Sequence, residues 1–171
     1  MEIYKNIDIL SSNMILLIDT CTWLKLEVLK EDNLFEPSKI YDWAEIAVTH
    51  QVLKELEYYK CKSIIKEKTK INPIENRQIY NKSLRLNFDE ADASILSFGR
   101  KSKNHIIVSE DGALLEYARI NNFRAIQLID LFRIFFQKDK IKSRELYHLV
   151  NNLRKRKNIT EKKKRDILKI R

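Results

Sequence analysis

Hydrophobic positions along the chain follow two patterns: short continuous apolar runs, and longer segments in which apolar residues recur at helical spacing. The apolar runs are typical of buried β-strands and fall at residues 14–18, 47–49, 105–108 and 124–127. The helical pattern covers residues 23–29, 50–60, 89–101, 111–121 and 129–137, and Pro37-Ser38 predicts a further helix start. Because strands and helices alternate, the pattern predicts an α/β domain with a central parallel sheet.

Three other segments are less regular. Residues 1–13 are compatible with either a helix or an extended lead-in. Residues 61–86 have a helical composition interrupted at Asn72-Pro73, which predicts a hairpin arm beside the domain. Residues 138–171 predict two helices and form a C-terminal extension to a core domain at 14–137.

Length and composition favour one folded domain. The chain has 171 residues, 44% of them hydrophobic, which is enough for a sizeable core. We expect neither a secretion signal nor a membrane span, because the apolar runs are far shorter than the ~20 residues that a spanning helix needs. Two cysteines form no disulfide framework, so we expect a cytoplasmic protein.

The positive charge is concentrated at the C-terminal end. Residues 138–171 hold 14 Lys+Arg against 4 Asp+Glu, a net charge of +10, whereas residues 1–137 hold 19 against 20. Such a segment is typical of contacts to a nucleic-acid backbone, although a solvated basic helix has the same composition. The residues predicted to bind nucleic acid are Arg154, Lys155, Arg156, Lys157, Lys162, Lys163, Lys164 and Arg165. An apolar stripe at Leu146–Leu153 leaves homodimerisation open.

Two acids follow directly on predicted strands. Asp19 ends the first apolar run and is followed by Thr20 and Thr22, which are typical of a helix start. Asp111 comes soon after strand 105–108 in the same way. Ligands of open α/β sheets bind outside the carboxyl ends of the strands, so these two acids are predicted to approach each other.

Two further acids lie on predicted helices, and helical phase selects them from their neighbours. Glu55 lies on the rim of an apolar stripe formed by Val52, Leu56 and Tyr59, whereas Glu57 points away. By the same count Asp92 shares a face with Ile95 and Leu96, Glu90 points outward, and Asp89 is the predicted N-cap. Burying such acids is costly unless a cation compensates them, so the four acids predict one metal site.

The ligand type indicates the metal. A site made only of carboxylate oxygens suits Mg²⁺ or Mn²⁺. Zinc is disfavoured, because His50, His105 and His148 lack an i,i+4 partner and the cysteines form no CxxC pair. With only Gly99 and Gly112, the chain has no phosphate-binding loop and no dinucleotide fingerprint.

Taken together, four segments resemble the motifs of the PIN-domain nucleases, in the order of that family and with the acid in register each time. The resemblance extends from residue 14 to about residue 130, and its segments are 15–20, 48–56, 89–96 and 107–111. It implies a Rossmann-like three-layer α/β/α fold and a Mg²⁺- or Mn²⁺-dependent endonuclease that usually acts on RNA. For this chain we expect the substrate to be single-stranded or loop RNA. Toxin-type and RNA-processing members share that core.

Carried over residue by residue, the resemblance implies that Asp19, Glu55, Asp92 and Asp111 are the catalytic metal ligands. Ser109 matches a hydroxyl position that orients ligand or water. Glu110 departs from the usual Asn or Asp, and its role is left open between tuning a second metal and facing solvent.

Alternatives remain at this stage. Each acid taken singly also fits a helix cap or a first-turn residue. The rival function is a PIN-like RNA-binding or scaffold module without turnover. An antitoxin and a larger ribonucleoprotein are both open as partners.

Overall fold

The computed structural model describes residues 14–99 and 104–169. Within them, five strands form one parallel sheet in the order β3-β2-β1-β4-β5. The strands are β1 (Ile15–Ile18), β2 (Glu45–Thr49), β3 (Thr69–Asn72), β4 (His105–Val108) and β5 (Ala125–Ile126). Helices flank the sheet in a three-layer α/β/α arrangement, so the predicted fold class is confirmed. The lead-in at 1–13 and the end of the predicted helix at 100–101 lie outside the described residues.

The α-helices match the periodic segments, with boundaries shifted by a few residues. They are α1 (Thr20–Glu31), α2 (His50–Tyr58), α3 (Arg77–Arg85), α4 (Glu90–Gly99), α5 (Gly112–Ile120), α6 (Leu128–Gln137), α7 (Ser143–Lys155) and α8 (Glu161–Leu168). The helix expected at Pro37 is a 3₁₀ helix, Pro37–Asp42, and a second 3₁₀ turn covers Lys66–Lys68. None of the helices in the described residues is long and apolar enough to cross a bilayer.

The strand order creates a crevice between β1 and β4. From β1 the chain builds outward through β2 to β3, then returns to the other side of β1 to add β4 and β5. Ile18 and Val108 are partners at the carboxyl ends of β1 and β4. Such a reversal of strand order marks the place where ligands of α/β sheets bind.

The C-terminal helices pack on the same core as the sheet. Ile141, Ile159 and Ile167 are buried within one continuous apolar cluster that also contains the strands. The Leu146–Leu153 stripe, considered above as a dimer surface, is buried in this cluster and is therefore not free for dimerisation. Burial of this stripe stabilises the packing of α7 on the core, where α7 contacts α6.

Residues 61–86 differ from the expectation of a hairpin arm. They contain the edge strand β3, which pairs with β2 from Ile46↔Thr69 to Thr49↔Asn72, followed by α3. The strand escaped the sequence pattern because its two central residues, Lys70 and Ile71, are both exposed. Pro73 follows it directly, and a proline has no N–H to continue the ladder of hydrogen bonds.

Candidate functional site

Asp19 lies at the carboxyl end of β1, where it begins α1. Its backbone N–H donates to Val108 O at 3.1 Å, which continues the sheet by one residue. Its Oδ1 accepts from the Thr22 N–H at 2.7 Å, so Asp19 is also the N-cap of α1. The side chain is only 3% exposed, and burial raises its pKa above the ordinary value although hydrogen bonds from Ser109 and Thr22 act against this.

Ser109 joins the ends of the two central strands. Its hydroxyl donates to Asp19 Oδ2 at 2.5 Å and accepts from the Asp111 N–H at 2.9 Å. Asp111 in turn caps α5, because its Oδ1 accepts from the Leu114 N–H at 2.8 Å. One buried hydroxyl therefore fixes the two strand-end acids relative to each other.

Glu55 reaches the site from α2. The Thr20 hydroxyl, one residue after Asp19, donates to Glu55 Oε2 at 2.5 Å. Val52 and Leu56 are buried, whereas Glu57 is exposed and forms an ion pair with Lys66 at 2.6 Å. The helical phase that selected Glu55 over Glu57 is thus confirmed.

The pKa of Asp92 reflects the presence of the other acids around it. Its pKa is raised from the ordinary 3.8 to about 7, chiefly by burial and then by neighbouring negative charges. These neighbours are Asp89, Asp19, Asp111 and Glu55. Asp19, Asp111 and Glu55 therefore each lie close enough to Asp92 to raise its pKa.

Asp89 has a local structural role. Its Oδ1 accepts from the Asp92 N–H at 2.8 Å, so it begins α4 as predicted. Glu90 is exposed, again as predicted. The Thr49 and Ser94 hydroxyls are 2.5 Å apart, and this contact joins the end of β2 to α4.

The donor set fits a hard cation, but the acids do not form a closed cage. Among the residues that the structure describes, no three His, Cys, Asp or Glu side chains converge on a single ion-sized position. The Asp19 and Glu55 carboxylates already accept hydrogen bonds from Ser109 and Thr20. Mg²⁺ keeps several waters and commonly binds through one or two carboxylates, so it does not require such a cage.

Glu110 does not face solvent. Its side chain is 2% exposed, and it accepts from Lys25 Nζ and from the Leu128 N–H, both at 3.0 Å. It thereby joins α1 to the N-terminus of α6 and anchors the turn between Ser109 and Asp111. A negative charge at a helix N-terminus is favourable in its own right.

The eight basic residues predicted to bind nucleic acid fall into two groups. Four are ion-paired within the fold: Arg154 and Lys164 with Glu161, Arg156 with Asp32, and Lys163 with Asp130. Lys163 makes two side-chain hydrogen bonds, because it donates to buried Asp130 at 2.7 Å and also to Gln127. The exposed group, which has no ion-pair partner within the described ranges, is Lys155, Lys157, Lys162 and Arg165.

Sequence reasoning missed several residues that build the site. Thr20 was read as a helix-start residue, yet it also holds Glu55. Lys25 lies two turns into α1 and pairs with Glu110, 85 positions away, and no local pattern signals such a contact.

Neither a known protein family nor a curated protein sequence matches the chain.

Proposed function

We propose that the chain is a Mg²⁺- or Mn²⁺-dependent endoribonuclease of the PIN type. The observation that carries the proposal is the meeting of Asp19 and Asp111 at the ends of neighbouring strands, bridged by Ser109. Asp92 and Glu55 add two acids from helices that flank the same crevice. The resemblance of the sequence motifs supports the same conclusion.

The residues of the site fall into proposed metal ligands and residues that position them. Asp19, Asp111, Asp92 and Glu55 would hold the cation, which would supply water activation and charge neutralisation for phosphodiester hydrolysis. Ser109 keeps the Asp19 carboxylate oriented, and Thr20 does the same for Glu55. Glu110 and Lys25 hold the turn that carries Asp111.

We infer that the substrate is single-stranded or loop RNA. We also infer that the protein acts in the cytoplasm. The acidic crevice repels phosphate in the absence of a cation, so binding needs positive charge elsewhere. Lys155, Lys157, Lys162 and Arg165 are exposed and unpaired within the described residues, and they supply that charge.

A cleavage assay tests the proposal. Wild type should cleave a labelled single-stranded RNA in Mg²⁺ or Mn²⁺ and be inactive in EDTA. Asp19→Asn should lose nearly all turnover while still binding RNA, and Glu57→Gln should act as wild type because its side chain points outward. Full activity in EDTA would contradict the proposal, and binding without cleavage under every metal condition would favour a scaffold role.

A further inference from the structure

A cavity of about 440 Å³ opens beside Glu55, between α2 and the start of α4. Its walls include Lys54, Glu55, Tyr58 and Tyr59 on one side and Asp89 and Glu90 on the other. The volume lies within the range of about 300–1,000 Å³ that is usual for small-ligand sites. The cavity shares Glu55 with the candidate metal site.

The two tyrosines of this cavity are unusually exposed for aromatic residues. Tyr58 is 80% exposed and Tyr59 is 56% exposed, and their rings meet edge to face at 5.1 Å between centroids. The apolar stripe predicted for α2 included Tyr59, and this was wrong, because the helix ends at Tyr58 and Tyr59 is its C-cap. Because Tyr58 is the more exposed of the two, its ring is accessible to a planar partner.

The charges around the cavity indicate which part of a nucleotide fits. Glu55, Asp89 and Glu90 make its walls negative, which disfavours a phosphate inside it. Asp89 and Glu90, which are not among the proposed metal ligands, can accept hydrogen bonds from the amino groups of a base. Lys54 lies one turn before Tyr58 and has no ion-pair partner in the described part of the chain, so it can contact a phosphate at the edge.

We propose that this cavity binds one unpaired base of the RNA substrate, stacked on Tyr58, with an adjoining phosphate against Lys54. The inference rests on the proposed function, because it places the base next to the acids that would cleave the strand. Stacking on an aromatic side chain requires a base whose face is free, as in single strands and loops. The cavity therefore explains a preference for unpaired RNA at the site itself, separately from the basic extension.

The test compares binding of one short labelled RNA, alone and annealed to its complement, in EDTA so that cleavage does not interfere. Tyr58→Ala should weaken binding of the single strand by about 5- to 160-fold, the range found for loss of one stacked base. Tyr58→Phe, which keeps the ring, should bind as wild type. Binding of the duplex should be the same for all three proteins.

Tyr147→Ala is the matched control, because Tyr147 is also exposed (53%) but lies on α7. It should leave RNA binding unchanged. Equal weakening by Tyr147→Ala, unchanged binding by Tyr58→Ala, or equal weakening of the duplex would each overturn the subsite. The base subsite would also be overturned if Tyr58→Ala changed the oligomeric state and left the RNA affinity unaltered. That result would favour self-association through the surface that carries Tyr58.

A parallel cleavage assay in Mn²⁺ separates this inference from the function on which it rests. If wild type does not cleave RNA but Tyr58→Ala still loses single-strand affinity, the nuclease proposal fails and the base subsite stands. If wild type cleaves RNA and Tyr58→Ala binds and cleaves equally well, the subsite fails and the nuclease proposal stands.

Discussion

The Ser109 hydroxyl donates to Asp19 Oδ2 at 2.5 Å across the ends of β1 and β4. Both side chains are buried, and the same hydroxyl oxygen accepts from the Asp111 N–H. Residues 90 positions apart are thereby joined at the point where the strand order reverses. This contact matters for the candidate site, because it orients the Asp19 carboxylate and holds the backbone of Asp111.

Removing this hydroxyl should destabilise the protein. Ser109→Ala leaves a buried carboxylate oxygen without its donor, which costs about 1–3 kcal/mol. Ser109→Thr keeps a hydroxyl at this position and should lose less. The measurement is the free energy of unfolding in denaturant.

Ser97→Ala is the control for that experiment. Ser97 is also buried, but its hydroxyl donates to Ser94 O within the same helix, so no charged group loses a partner. We expect a smaller loss of stability than for Ser109→Ala. Equal losses would mean that the contact with Asp19 contributes nothing specific.

The pH dependence of Asp92 gives a second prediction. Its pKa of about 7 lies above the ordinary 3.8, so between about pH 4 and pH 7 the folded protein holds a proton that the unfolded chain has released. The stability associated with this group is therefore fully present below about pH 4 and is lost as the pH rises to 7. In EDTA, Asp92→Asn should be more stable than wild type at about pH 8, by on the order of 2 kcal/mol, and this gain should shrink towards pH 4.

Thermal melts of both proteins across this pH range provide the measurement. A constant difference between wild type and Asp92→Asn at every pH would contradict the raised pKa. Glu57→Gln serves as the control, because Glu57 is exposed and paired only at the surface. It should melt close to wild type throughout.

Lys163 should matter for folding, whereas Lys162 should not. Lys163 is the partner of Asp130, whose side chain is 4% exposed, so Lys163→Met leaves a buried charge unpaired. We expect a loss of about 1–3 kcal/mol in the free energy of unfolding. Lys162→Met removes the same charge from an exposed position and should stay within about 0.5 kcal/mol of wild type.

RNA binding should depend on the exposed cations of the extension. Lys155→Gln with Lys157→Gln should lower the slope of log affinity against log salt by about 0.7 for each lost phosphate contact. Point substitutions are needed because truncation would remove the buried side chains of Ile159 and Ile167. The control is the pair Lys68→Gln and Lys82→Gln, which removes the same charge from exposed sites elsewhere. An equal change in slope for this pair would show that only the net charge of the protein matters.

The sequence pattern was most informative where local rules decide the structure. Strand-end positions located Asp19 and Asp111, and helical phase distinguished Glu55 from Glu57 and Asp92 from Glu90. These inferences depend only on periodicity and on the geometry of parallel sheets, which hold whatever the rest of the chain does.

Features that depend on long-range packing were not predictable. β3 has an exposed centre, so its pairing with β2 could not be read from hydrophobic alternation. Lys163 looked like its lysine neighbours, yet the docking of α8 brings it to Asp130. Tyr59 fitted the apolar stripe of α2 only on the assumption that the helix continues beyond Tyr58.

The most direct test of the account is the effect of Mn²⁺ on the melting temperatures of wild type, Asp19→Asn and Asp111→Asn. Crowded carboxylates destabilise the metal-free protein, and a cation that binds only the folded state stabilises it. Millimolar Mn²⁺ should therefore raise the melting temperature of wild type well above its value in EDTA, and should raise that of either Asn variant much less. Melting temperatures that are independent of Mn²⁺ in all three proteins would contradict a metal site at these acids.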